Sequence, residues 1–138
     1  MHQARTILTI ATPGRGLHEI TEEVADWLGG TGIGAGVATL FCQHTSASLL
    51  ITENASSAVQ RDILRWLERA VPEGAHYEHD DEGADDMPAH IKALITGNSL
   101  TVPVIDRRLA LGTWQGVFLA EHRTRPHSRR IAVHVIGE

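Results

Sequence analysis

Apolar and polar positions change rhythm several times along the chain, and each change marks a predicted element. Residues 3–10, QARTILTI, alternate loosely and are rich in β-branched side chains, the pattern of a strand. The next segment, GLHEITEEVADWLGG, shifts to a helical period. Leu17, Ile20, Val24, Trp27 and Leu28 recur at three- and four-residue spacing before two glycines stop the run. Residues 36–54 return to a β pattern, read as two strands around the small residues 45–48. SSAVQRDILRWLERAVP carries the clearest helical stripe, with Val59, Ile63, Trp66, Leu67 and Ala70 on one side. Ser56 or Ser57 is placed to cap that helix and Pro72 to end it. A further helix is expected from about Pro88 to Gly97, because proline suits a first helical turn. SLTVPVID, GVFLAEHR and RRIAVHVIG supply three more strands, with RTRPHS as the turn before the last.

Strands outnumber helices and often follow one another directly, which predicts an α+β fold, with α/β the competitor because of the early helix between strands. The expected architecture is a mainly antiparallel β-sandwich or barrel-like sheet with helices packed outside. At 138 residues, with no internal repeat or linker, the chain reads as one domain over 1–138.

Composition narrows the function. The net charge is −5, which gives no general attraction to nucleic acid, and no apolar run approaches the ~20 residues of a spanning helix. The single cysteine, Cys42, excludes an internal disulfide, and the N-terminus lacks the pattern of a signal peptide. A cytoplasmic protein is expected. The charge is unevenly spread: acids gather in residues 73–86, and Arg123, Arg125, Arg129 and Arg130 gather near the C-terminus. The arginines read either as a solvated turn or as an anion site, since guanidinium groups match phosphate geometry.

Three stretches carry candidate chemistry. HDDEGADDMPAHIKALITG, residues 79–97, crowds Asp80, Asp81, Glu82, Asp85 and Asp86 between His79 and His90. Such like charges repel, so the stretch is either a solvated loop or the surroundings of something positive. Imidazole is a common metal ligand, and Asp86 one helical turn before His90 could orient it or bind a cation directly. In FCQHTSASLL, Thr45, Ser46 and Ser48 offer hydroxyls that can cradle an oxyanion, and Glu53 and Asn54 end the strand beyond them. Cys42 and His44 share a strand face, where a buried thiol beside a hydrogen-bonded histidine is the simpler reading than a nucleophile with its base. In LALGTWQGVFLAEHR, Trp114 and Gln115 follow a tight turn, and Glu121 and Arg123 are in register to project inward. GGTGIGAG follows a helix and opens a strand, the reverse of a dinucleotide fingerprint, and is read as a connector.

FCQHTSASLLITENA, HDDEGADDMPAHIKA and RLALGTWQGVFLAEHR together resemble the YjbQ family (UPF0047), also described as secondary thiamine-phosphate synthase enzymes. The resemblance spans essentially the whole chain. It implies an α+β fold, a homotrimer and a metal-containing pocket, together with a weak ability to join an aminopyrimidine diphosphate to a thiazole phosphate. It implies His44, His79 and His90 as metal ligands and Glu53, Asn54, Asp86, Gln115 and Glu121 as pocket residues, with His122 outside the ligand set. Three histidines with an open position suit a divalent metal, zinc first, with magnesium the alternative for a diphosphate substrate. The expected substrates are small phosphorylated ring metabolites, bound by Thr45, Ser46, Ser48, Asn54, Trp114, Gln115, Glu121 and Arg123. Two other readings stand beside the synthase. One is a metal-dependent phosphoester hydrolase with Glu53 or Asp86 as general base; the other is a non-catalytic trimeric protein that binds metabolite or metal.

Overall fold

The computed structural model describes all 138 residues. In chain order the elements are β1 (His2–Thr12), β2 (Gly16–Glu19), α1 (Thr21–Gly29), β3 (Gly36–Cys42), β4 (Ala47–Glu53), α2 (Ser57–Ala70), α3 (Asp86–Thr96), β5 (Ser99–Ile105), β6 (Arg108–Leu109), β7 (Gln115–Glu121) and β8 (His127–Gly137). They form a five-stranded sheet of order β1-β8-β3-β5-β6 and a three-stranded sheet of order β2-β7-β4. Every pairing is antiparallel. This is the expected α+β architecture.

Alternation along the strands builds the core. On β3, Ala38, Leu40 and Cys42 are buried while Val37 and Phe41 stay exposed, and β8 turns Ile131, Val133 and Val135 to the same side. Ala47, Leu49, Val117 and Leu119 of the smaller sheet complete one cluster with Ile20, Val24 and Leu28. Each fully buried aliphatic side chain of this kind contributes ~1.5–3 kcal/mol by leaving water.

Three details differ from the sequence pattern, each for a tertiary reason. Leu17 was expected in a helix, but Gly16–Glu19 pairs with Glu121–Phe118 as β2, and the helix starts only at Thr21. The short β6 has no apolar run of its own and exists because it pairs with β5 after the turn at Asp106 and Arg107. On α2 only Leu67 is fully buried and Trp66 is 54% exposed, so its stripe covers the sandwich loosely. The glycine-rich stretch ends in a packing constraint: a side chain at Gly36 would collide with the Ile136 carbonyl where β3 meets β8. No helix is long and apolar enough to cross a membrane.

One end of the sandwich gathers the chemistry. There β3 ends, β4 begins with Ala47 opposite Glu121 of β7, and β8 sets out from His127. Helix α3 and the acidic loop before it are tied to this end by Arg123 and by the Thr45 carbonyl.

Candidate metal centre

Helix α3 opens with Asp86, and a carboxylate in the first turn faces the unpaired N–H groups favourably. His90 follows one turn later on the same side of the helix. The acidic loop folds back so that His79 Nε2 lies 2.7 Å from Asp86 Oδ2, and His90 Nε2 lies 3.2 Å from that same oxygen. The three ligand atoms lie within 4.8 Å of one another. Asp86 is buried, and both imidazoles remain partly exposed.

Proton bookkeeping shows what this arrangement needs. His90 Nδ1 is 2.9 Å from the Thr45 carbonyl, which can only accept, so Nδ1 carries the hydrogen. In the neutral ring Nε2 then points its lone pair at a carboxylate oxygen. Two acceptors that close require a cation, or a second ring proton, between them. Two imidazole nitrogens and one carboxylate oxygen with an open side are also a donor set of three-ligand zinc sites. The residues fit a divalent ion, and a backbone carbonyl that fixes the tautomer is the usual support for such a histidine.

The surrounding charges hold the carboxylates ionised. Burial would raise Asp86, but the His79 hydrogen bond and the positive charge of Arg123 keep it below the usual range. Asp85, likewise raised by burial, is brought down to about 2 by hydrogen bonds from the Thr124 backbone and Arg123. His79 moves up, through its hydrogen bond to Asp86 and the nearby Asp81 and Glu82. Arg123 Nε and Nη1 donate to Asp85 and Asp86 at 2.9 and 2.7 Å, and Nη2 donates to the Glu82 carbonyl at 2.9 Å.

The residues read from the sequence divide into distinct groups. His79, Asp86 and His90 come together as one cluster. His44 stands outside it, because its Nε2 lone pair accepts the Arg130 backbone N–H at 2.8 Å and its Nδ1 faces the Arg129 guanidinium. It lines a cleft of about 370 Å³ with Thr45, His90, Ala93, Leu94, Gly97 and Asn98. Arg123 is spent on its own chain's carboxylates rather than turned toward a substrate. Ser48 is sealed in a chain of hydrogen bonds: His122 Nε2 stands 2.8 Å from its Oγ, and Thr96 lies on its other side. Glu121 is wholly buried and binds Arg129 and Thr12, while Ser46 Oγ accepts from Arg129 at 3.0 Å.

Glu53, Asn54, Trp114 and Gln115 lie at the opposite end of β4 and β7. Seven residue pairs run from Ala47 and Glu121 to that end, roughly 20 Å at strand rise. There Glu53 accepts the Ser56 backbone N–H at 3.0 Å, Asn54 donates to Glu19 at 3.0 Å, and Gln115 accepts the Gly112 N–H at 2.8 Å. Trp114 is 63% exposed. Glu53 is therefore not within reach of the cluster in its own chain. The buried Glu121–Arg129 pair and the His122–Ser48–Thr96 chain escaped the sequence reading. Arg129 alternating with apolar Ile131 and Val133 on β8 was the available signal for the first.

Comparison with known proteins agrees with this fold. The family described as "UPF0047 protein YjbQ-like" matches residues 6–138. A UPF0047 protein of Synechocystis is 48% identical over 99% of this chain and 93% of its own length. The UPF0047 protein YjbQ of Salmonella typhimurium is 47% identical, with both chains fully covered. Among solved structures, a YjbQ/UPF0047 family protein of Clostridium acetobutylicum is 33% identical, with TM-score 0.84 over 96% of this chain and 99% of that one. A YbjQ-like protein from Sulfolobus solfataricus reaches TM-score 0.88 at 25% identity, covering 99% and 100% of the two chains. With a family match over nearly its whole length, the chain belongs to the YjbQ-like UPF0047 family.

Proposed function

We propose that this chain is a divalent-metal enzyme that hydrolyses small phosphorylated metabolites, with His79, Asp86 and His90 as ligands and zinc as the ion. The observation that carries this reading is the approach of His90 Nε2, whose ring proton sits on Nδ1, to a buried carboxylate oxygen that His79 also reaches, which is unfavourable without a positive charge between the two acceptors. Bound there, a divalent ion supplies Lewis acidity toward a phosphoryl oxygen and lowers the pKa of a water molecule. The chain's own groups do the rest. The Thr45 carbonyl orients His90, and Arg123 holds one oxygen of Asp86 so that the other faces the imidazoles. Glu82, whose carboxylate lies 3.3 Å from His79 Nε2 and is largely exposed, is placed to take a proton.

A second reading is the weak thiamine-phosphate synthase activity, in which a thiazole nitrogen displaces pyrophosphate from an aminopyrimidine methylene. The carboxylates of Asp81 and Glu82, 3.5 and 3.3 Å from His79, favour it, because added oxygen donors suit magnesium on a diphosphate. Two nitrogen ligands and an arginine already committed to carboxylates favour the hydrolase. The lone buried Cys42 is consistent with a reducing, cytoplasmic location. The exposed apolar side chains Ile7, Val37, Phe41 and Ile136 of the larger sheet support assembly as a homotrimer that covers them.

The test uses purified protein stripped with chelator and then reconstituted with zinc or magnesium. It is assayed on a phosphoester panel and on pyrimidine diphosphate plus thiazole phosphate. Zinc-dependent phosphate release that disappears in the His90→Ala variant supports the hydrolase. Magnesium-dependent condensation replaces it with the synthase, and stoichiometric metal with neither activity leaves a binding protein.

A further inference from the structure

We infer that His44, with the buried Arg129 guanidinium behind it, forms the recognition wall of a binding site for an anionic oxygen, of a phosphate or a carboxylate group, in the cleft beside the metal centre. His44 follows the end of β3 and lines that cleft together with His90, Thr45, Leu94 and Asn98. Its Nε2 accepts the backbone N–H of Arg130 at 2.8 Å, so the lone pair of the neutral ring is used there. An imidazole with one lone pair has one N–H, and it must therefore sit on Nδ1.

That N–H has no acceptor. Nδ1 faces Arg129 Nη1 at 3.4 Å, and Nη1 can only donate, so two donors confront each other. The rest of the guanidinium is filled. Nε and Nη2 bind Glu121, and Nη2 also reaches the hydroxyl and carbonyl oxygens of Ser46. Arg129 is 4% exposed, and a donor held away from water without an acceptor is unfavourable. An oxygen entering from the cleft, within reach of both N–H groups, supplies what neither side chain can supply to the other.

The sign of the ligand follows from the charges around the ring. Burial, and then the positive charge of Arg129 and Arg130 against the single carboxylate of Glu121, holds the His44 ring below its usual pKa. Local potential thus favours an anion over a neutral carbonyl. Thr45 and Asn98 add a hydroxyl and an amide to the same cleft. The inference rests on the hydrolase reading only in taking the oxygen for the substrate's phosphoryl group; the donor pair itself stands without the metal.

The experiment follows the ring nitrogens of ¹⁵N-histidine-labelled, chelator-stripped full-length protein while inorganic phosphate, and separately acetate, is titrated in. The expected result is a saturable shift of His44 Nδ1 with phosphate in the absence of metal. In His44→Ala the phosphate affinity, measured by calorimetry, should fall roughly tenfold or more, the loss of one charge-assisted hydrogen bond. His44→Gln, whose amide can accept from the Arg130 N–H and donate into the cleft, should restore part of it. A shift with acetate alone supports the subsite and moves its ligand to carboxylates. Phosphate that leaves His44 unmoved, binds His44→Ala equally well, or binds only after zinc is added overturns the inference. Zinc affinity of His44→Ala, read by chelator competition, should equal that of the parent, so failure of the anion site and failure of the metal centre read out separately.

Discussion

Arg123 and Asp86 divide the work of one carboxylate: Arg123 Nη1 donates to Oδ1 at 2.7 Å, and Oδ2 is left to His79 and His90. The pair joins the loop after β7 to the first turn of α3, elements 37 residues apart in sequence. Replacing Arg123 with Gln removes both the charge and the fork that reaches Asp85. Zinc affinity should drop about 10- to 100-fold, as for other groups that orient a ligand. Chelator competition on the folded variant measures it; unchanged affinity would mean that Asp86 needs no such support.

His79, Asp86 and His90 should behave as one unit toward metal, and His44 should not. His79→Ala, Asp86→Asn and His90→Ala are each expected to lose stoichiometric zinc, because a three-ligand site keeps little affinity with one ligand gone. His44→Ala should retain it, since its lone pair already serves the Arg130 N–H. Adding zinc to the stripped parent should raise its melting temperature, as any ligand of the native state alone does. Elemental analysis of the four variants decides the ligand set, and a zinc-free His44→Ala would return His44 to it.

The buried His122 predicts an acid-sensitive window. Thr96 donates to the Lys92 carbonyl at 2.8 Å, so Thr96 accepts from Ser48, and Ser48 accepts from His122 Nε2–H. Burial, with the Lys92 charge second, brings His122 down to about 4 from 6.5. Between these values the unfolded chain binds a proton that the folded chain refuses, so stability falls as pH drops through the window. The loss should approach 3 kcal/mol, on the order of 1.4 kcal/mol per pH unit. His122→Gln keeps a donor for Ser48 and cannot titrate. Denaturant melts of that variant should show a flatter profile between pH 6.5 and 4, and an equally steep one would put the acid loss elsewhere. Asp85 acts in a lower range: its stability contribution is present above 3.8 and is lost as pH falls toward about 2.

How much of this was legible depends on whether a residue's role is local. The strands announced themselves because alternation on β3 and β8 is a property of adjacent residues. Asp86 and His90 were readable together because a helix turn fixes their spacing. His79 joins them only through the fold of the acidic loop, and motif resemblance, not spacing, pointed to it. Leu17 was misassigned because pairing with Ala120 on β7 outweighs a helical period shared with only a few positions. Glu53 and Asn54 read as neighbours of Ser46 along one strand. Yet an extended strand carries its two ends apart, and the sequence gives no sign of what lies beside each.

Cys42 should prove structural. Its thiol is 1% exposed, packs in the core cluster and lies 3.5 Å from the Ala47 carbonyl, while burial pushes its pKa up. Such a thiol is a poor nucleophile. Cys42→Ser should keep its metal and most of any activity while losing about 1–2 kcal/mol of stability to a hydroxyl in apolar surroundings. In the native parent, a thiol reagent should react only as fast as the protein opens. Rapid labelling without denaturant, or a folded and zinc-replete variant with no activity, would restore the nucleophile reading.

Glu53 gives the sharpest separation between a structural and a catalytic carboxylate. It accepts the Ser56 backbone N–H at 3.0 Å and so occupies one of the unpaired groups at the start of α2. It stands at the end of β4 remote from Ala47, the end that approaches the metal cluster. Within one chain it cannot take a proton at that cluster. Glu53→Gln should therefore cost about 1 kcal/mol, the scale of a lost helix-terminal hydrogen bond, and leave zinc affinity unchanged. In the monomeric arrangement the turnover of a zinc-reconstituted enzyme should also change little. If turnover instead collapses while zinc binding and stability hold, Glu53 must reach a metal centre other than its own. A neighbouring subunit is then the only source of that centre. Mixing Glu53→Gln subunits with His90→Ala subunits decides it: recovery of activity on exchange means that each working site takes one intact half from either chain.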